Sequence, residues 1–177
     1  MFGLKFISWT MLVLLFCACD KNEVTPLISG TNSGDAAAPY LDHAQPKLPT
    51  MKLWIGAQEM NAELALTHTQ VSTGMMYRKE MGENEGMLFV FGRPHRASFY
   101  MRNTLIPLSA AYIDSEGTIL EIHDLKPLDE TPVEASSDKV QYVLETPQGW
   151  FKRNNIAVGT VIRTERGSLH DTFFPNR

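Results

Sequence analysis

The sequence predicts a mainly β domain, a single compact sandwich or barrel-like body with two short helices. Apolar residues alternate or run together over strand-length stretches between residues 51 and 165. Turn-forming residues separate those stretches, and helix-start signals occur at only two places. Strands are expected at 51–56 and 61–66, where Leu53-Trp54-Ile55 and Ala62-Glu63-Leu64-Ala65-Leu66 could pair as a hairpin across Gly56 to Asn61. Thr67-His68-Thr69-Gln70 fits a capping box, with Thr67 as N-cap and Gln70 reaching back, and opens a short helix to about Arg78. A strand follows at 86–91, then partial alternation in Ser98-Phe99-Tyr100-Met101-Arg102-Asn103. Leu108 to Ile113 is largely apolar, as a buried strand would be. Asp114-Ser115-Glu116-Gly117 suits a type I turn, and Thr118 to His123 returns as the second arm of a hairpin. Strands at 140–145 and 159–164 complete the set. Between them Pro147 opens a helix over 148–154, with Trp150 and Phe151 facing inward and Asn154 or Asn155 ending it. Many short strands with two small helices argue for an all-β sandwich or barrel.

Composition bounds the function classes. The chain has 177 residues, 44% hydrophobic and 20% charged, with a net charge of −4. Acidic residues outnumber basic ones 20 to 16, which excludes a broadly basic nucleic-acid binder.

The N-terminus carries a different signal. Behind Lys5, residues 6–18 form an apolar run. As a helix it would reach roughly 20 Å, short of the ~30 Å hydrocarbon core of a bilayer. A short positive region followed by such a run reads as an export signal over 1–18. Leu15-Phe16-Cys17-Ala18-Cys19 resembles the lipobox of bacterial lipoproteins, with Ala18 before the cleavage point and Cys19 as the acylated residue. Phe16 replaces the Leu usual at its position. The resemblance implies a membrane partner through a diacylglycerol anchor on Cys19. Asp20 resembles the inner-membrane retention signal of some Gram-negative bacteria. The only cysteines are Cys17 and Cys19, so none would remain for a disulfide, a thiolate metal site or a nucleophile. Residues 19–50, with four prolines and no apolar period, are expected to be the lipidated cysteine and a flexible tether. The tail 166–177 is unpatterned too, although Phe173 and Phe174 could dock on the domain.

Several separated blocks carry a family resemblance. They are Gly74-Met75-Met76-Tyr77-Arg78, Glu85-Gly86-Met87-Leu88-Phe89-Val90-Phe91, and Phe99 through Leu108 with Asn103-Thr104 and Ile106-Pro107-Leu108. Tyr112-Ile113-Asp114, Tyr142-Val143-Leu144-Glu145, and Gly149-Trp150-Phe151 leading to Val158-Gly159 follow in order. Together the chain resembles, over about 52–164, the family catalogued as domain of unknown function 192. That resemblance implies a compact, mainly β domain, often exported, with no established activity. The family usually carries Asp after Ile-Pro-Leu, whereas Ser109 stands here.

Candidate chemistry is dispersed. Arg78 could grip a carboxylate or phosphate, or could hold loop carbonyls or Glu85. Arg102, Asn103 and Thr104 could line a polar pocket at a strand end, or could satisfy backbone groups in a turn. Arg78, Glu85, Arg102, Asn103 and Thr104 are therefore the candidate ligand-binding residues. Glu121 and His123 share one strand face at spacing two, so a general acid–base pair is sterically possible, with Asp129 as a third weak candidate. No metal-ligand spacing is matched there. Met75, Met76 and Met81, with His68 or His95, could serve Cu(I), although thioethers also fill irregular cores. There is no G-x-S-x-G elbow or phosphate-cradling glycine loop, and no cofactor is implied. Three readings remain. The preferred one is a non-enzymatic domain that binds a small molecule, glycan or cell-envelope partner. The others are a hydrolase-like enzyme using Glu121, His123 or Asp129, and copper handling through methionine.

Overall fold

The computed structural model describes residues 39–175, and the expected signal peptide, Cys19 and the tether up to residue 38 lie outside them. Ten strands and three short helices follow one another in the order β1 (Thr50–Ile55), β2 (Gln58–Ala65), α1 (His68–Thr73), β3 (Glu85–His95), β4 (Ser98–Phe99), β5 (Leu108–Ile113), β6 (Ile119–Leu125), β7 (Val133–Glu134), β8 (Val140–Pro147), α2 (Trp150–Arg153), β9 (Ile162–Thr164), β10 (Gly167–Ser168) and α3 (Leu169–Phe173). Eight strands make one mixed sheet in the order β10-β9-β1-β2-β3-β8-β5-β6, and β4 pairs with β7 separately.

Both expected hairpins form. β1 and β2 pair antiparallel through a tighter turn than expected, with Ile55 opposite Gln58. β5 and β6 pair antiparallel across the Asp114–Gly117 turn, where Asp114 Oδ1 accepts from the amides of Glu116 and Thr118. β2 and β3 run parallel, which requires a crossover, and the segment containing α1 supplies it. The mainly β expectation holds, and the sheet is barrel-like without closing. Near its two ends, Ile162 N donates to Gly117 O and Ile119 N donates to Thr160 O, so the curled sheet partly meets itself.

Strand alternation divides the core between the two faces of this sheet. Leu53, Ile55, Met60, Leu88, Ile113, Tyr142 and Leu144 share one cluster with Trp150 of α2 and Leu169 of α3. Met87, Phe89, Leu108, Ala110, Tyr112 and Val143 share the other with Ala97, Met101 and Ala135, which flank the β4–β7 pair. Each such fully buried large side chain contributes roughly 1.5–3 kcal/mol of apolar transfer free energy. β8 lies between β3 and β5 at the centre, and all but its last residue are buried.

Several expectations change. The first helix ends at Thr73, because Gly74 at φ +48° turns the chain away while its missing Cβ leaves room for the Phe89 ring 3.3 Å off. Its capping box is formed as expected. Arg78 thus lies in a loop beyond the helix. The strand expected over 98–103 is only Ser98–Phe99, and the chain then enters turns. The described part of the tail carries structure of its own. Ser168 caps α3 by accepting from Asp171 N, and Phe173 and Phe174 pack against the first cluster beside Tyr142.

The expected tether also has a bound portion. Leu41 N donates to Thr73 Oγ1, Leu48 N donates to Glu63 Oε2, and Leu64 N donates to Pro49 O. Buried Gln45 donates through Nε2 to the carbonyls of Gln70, which also accepts from Gly74 N, and of Gly74, and so ties the segment to the end of α1. These bonds involve backbone and polar groups, which leave no hydrophobic period to read.

Candidate functional site

The site is built around the central strand. Glu145 lies on the β8 face that carries Val143, opposite Met87 of β3 and Ala110 of β5. Both neighbours are apolar and fully buried. β3 approaches β8 closely here because residue 86 is glycine; a Cβ would stand 2.9 Å from Glu145 O and 2.7 Å from Met60 Sδ. The Glu145 side chain is buried, and its Oε2 has no hydrogen-bond partner among the described residues. Burial pushes its carboxyl up to about 8 from 4.5, because the charged form loses its hydration.

Glu145 lines a cleft of about 220 Å³. Phe89, Phe91 and His95 come from β3, and Ser98 and Phe99 from β4. Helix α1 and the Gly74-Met75-Met76 turn supply one side, and Tyr100 and Thr104 another. Phe89 and Phe99 meet edge to face at 5.1 Å, as do Phe91 and His95 at 4.4 Å. No lysine or arginine lines this cleft among the described residues. Two left-handed residues hold its loops: Tyr77 at φ 62° donates its amide to the carbonyl of Asn103 at φ 55°. Asn tolerates that conformation, whereas a bulky Tyr there carries strain.

The sequence-predicted ligand residues do not converge on one cavity. Thr104 lines the aromatic cleft, with its hydroxyl donating to Arg102 O. Asn103 reaches Met76 Sδ at 4.0 Å. Arg102 is held by Glu130, at 2.9 and 2.6 Å, and lies over the Tyr100 ring. Arg78 and Glu85 line a separate open depression. There Arg78 donates to Pro46 O and pairs with Glu63 at 3.0 Å, both side chains being largely buried. The loop-carbonyl alternative for Arg78 is thus the observed one, with Glu63 rather than Glu85 as its acid. Glu85 accepts from Gly82 N and from Lys47, and these bonds hold its carboxyl below the usual range.

Glu121 and His123 do meet, at 3.0 Å, and His123 packs on Tyr112. Partial burial works against ionisation of Glu121, but bonds from Ser136 and His123 outweigh it and draw its carboxyl down. A general acid would need the opposite shift. Asp129 is exposed and occupied with Thr131 N. Among the methionines, Met75 and Met76 are buried on the cleft wall with His95, Met81 packs at the second cluster, and His68 is exposed on α1. No group of three His, Cys, Asp or Glu residues able to hold a metal occurs among the described residues. Ser109, where the family usually has Asp, donates to Asp124 directly across the β5–β6 ladder and accepts from Gly149 N at 2.8 Å. A carboxylate is therefore present on the neighbouring strand instead.

Sequence reasoning missed Glu145. A lone acid among Tyr142, Val143 and Leu144 reads as the outward position of a half-buried strand. Only the placement of β8 between two other strands, with both faces covered, turns it inward. The available signal was chemical: an acid inside a stretch otherwise as apolar as a central strand.

The fold and cleft define a β-rich domain with a buried acid facing an aromatic wall. The family model of domain of unknown function 192, described as uncharacterized ACR, matches residues 51–164, and the chain belongs to that family. Among solved structures, a candidate transcription regulator from Sinorhizobium meliloti 1021 is similar at 31% identity and TM-score 0.65, over 68% of this chain and 98% of that one. A protein of unknown function from Novosphingobium aromaticivorans DSM 12444 is similar at 32% identity and TM-score 0.63, over 66% of this chain and 86% of that one. No curated protein matches.

Proposed function

We propose that the chain is an exported lipoprotein whose domain binds a small molecule in the Glu145 cleft. One observation carries the binding reading: a buried carboxyl whose Oε2 has no hydrogen-bond partner among the described residues lines a concave aromatic surface. Folding alone gains nothing from such a group, since an unsatisfied buried polar atom costs about 1–3 kcal/mol. Apolar walls with a few polar groups are the general form of small-molecule sites. An enzyme is disfavoured because Glu121 and His123 stand outside the cleft, and among the described residues no serine of the lining is hydrogen-bonded to His95 or Glu145.

A panel of small alkylamines, quaternary ammonium salts, alcohols and sugars, screened by thermal shift, tests this. Members that enter the cleft are expected to raise Tm with concentration. Ser98 is exposed at the cleft, so Ser98→Trp can cover the opening without entering the core, and should abolish the rise. Equal shifts in both proteins would place binding elsewhere. Copper handling keeps one supporting observation, the shared wall of Met75, Met76 and His95. Titration with Cu(I) that produced no thioether coordination would remove it.

The anchor reading rests on residues 5–19. Cys19→Ser is expected to abolish incorporation of labelled fatty acid, because the diacylglycerol is joined by a thioether to the cysteine sulfur, which serine lacks. Undiminished labelling of the variant would overturn it.

A further inference from the structure

We propose that the cleft is a site for a small organic cation, its ammonium group seated on the Glu145 carboxylate and its alkyl groups against Phe89, Phe91, Phe99 and Tyr100. This rests on the cleft being a binding site and names its ligand class. Oε2 of Glu145 receives no donor from the described residues, so a donor or a positive charge is what the site lacks among them. The described residues of the wall include no lysine or arginine, so no permanent positive charge faces an anionic ligand there. Aromatic rings attract cations through their quadrupoles, and the attraction strengthens when the cation is desolvated. A sugar would need several free polar partners. Thr104 and Thr73 are already engaged, with Arg102 O and Leu41 N; Ser72, His95, Ser98 and Tyr100 remain, and a sugar held by them would still leave the Glu145 carboxylate without a counter-charge.

Seating the cation requires a proton to leave. The protonated carboxyl and the free cation become a carboxylate–cation pair, and one proton passes to solvent. The groups facing Glu145 do not supply a competing charge. Met87 and Ala110 flank it on β3 and β5, and Val143 shares its face on β8. Tyr112 of β5 donates its hydroxyl to Val133 O, and burial raises that phenol's pKa further. His95 and Tyr100 are the other ionisable groups on the wall, and Arg102 beside Tyr100 is paired with Glu130. The α1 side of the cleft carries no charged residue.

The test is calorimetric titration of the full-length chain, in detergent, with choline, tetramethylammonium and the neutral choline isostere 3,3-dimethylbutan-1-ol. Choline is expected to bind about tenfold more tightly per pH unit from pH 6 towards pH 8, releasing close to one proton as read from buffers of different ionisation enthalpy. The isostere should bind at least about tenfold more weakly at pH 9 and independently of pH. Glu145→Gln should lose the preference for cation over isostere while still binding the isostere, and His95→Gln should keep the pH dependence. Equal affinity for cation and isostere, no proton release, or an unchanged preference in Glu145→Gln would each overturn the proposal and leave the cleft as a neutral-ligand site. Binding of none of these probes would overturn it too. Only failure of the whole screening panel would also remove the binding reading.

Discussion

Glu145→Gln is expected to flatten a loss of stability that the native protein undergoes between about pH 5 and pH 8. The carboxyl titrates at about 8 when folded, against 4.5 as its ordinary value, because burial penalises the charged form. Below pH 4.5 both states hold the proton and the residue contributes no pH dependence. Between the two values the unfolded chain has released its proton while the folded chain keeps it. Stability then falls as pH rises, since the slope follows protons bound in the unfolded minus the folded state. The full difference corresponds to on the order of 5 kcal/mol. Glutamine keeps the shape and cannot ionise, so the slope disappears. Urea unfolding of both proteins at pH 5, 6, 7 and 8 reads the effect. Glu85 and Glu121, whose carboxyls are drawn down, act with the opposite sign and below this window. Other groups common to both proteins cancel in the comparison. Equal slopes for native and variant would show that Glu145 is not held neutral by the fold.

The same residue therefore burdens the fold while lining the cleft proposed as a binding site. A methionine at 145 would suit Met87 and Ala110 better than an acid does, and would be expected to stabilise the domain while emptying the site of its polar group. That opposition separates a functional buried acid from a structural one, which would be satisfied by donors and would weaken the fold when removed.

What could be read from the sequence follows from which interactions leave a periodic trace. β5 and β6 were legible because six consecutive buried residues, Leu108–Ile113, meet a turn whose Asp114 and Gly117 fix the reversal. The α1 start was legible because Thr67 and Gln70 make their reciprocal bonds within four residues. β7, at two residues, and α3, at five, are too short to show a period, and their positions depend on Phe99 and Leu169 finding distant partners. The aromatic cleft needed Phe89, Phe99, Met76 and Glu145 from four separate segments. Each of them looks like ordinary core in its own segment. Arg78 was legible as a residue that holds something, but its partners, Pro46 O and Glu63, lie on strand and tether segments that only the fold brings together.

Arg78→Ala is expected to cost about 3 kcal/mol and to loosen the chain from Leu41 to Pro49. Glu63 is buried and gathers three partners: Leu48 N at 2.7 Å, Arg78 Nη2 at 3.0 Å, and Lys47 Nζ at 3.9 Å. Removing the guanidinium leaves a buried carboxylate short of its main counter-charge, and breaking such a pair costs more than the pair itself is worth. Leu48 N and Lys47 remain, which holds the effect near the lower end of the ~3–5 kcal/mol range. Arg78→Lys should recover part of the loss, because its single ammonium keeps the charge but sits on a shorter, differently shaped side chain than the one that places Nη2 against both Pro46 O and Glu63. Glu63→Ala with Arg78→Ala should cost less than the two single losses added, since each removes the other's partner. The released segment contains Lys47, so trypsin should cleave there faster in Arg78→Ala than in the native chain. Native cleavage rates in the variant would mean that the clasp does not hold this segment. The consequence reaches the cleft, because Gln45 in the same segment binds the carbonyls of Gln70 and Gly74. Loss of the clasp should therefore weaken any ligand seated against Met75 and Met76, although Arg78 itself lies outside that wall.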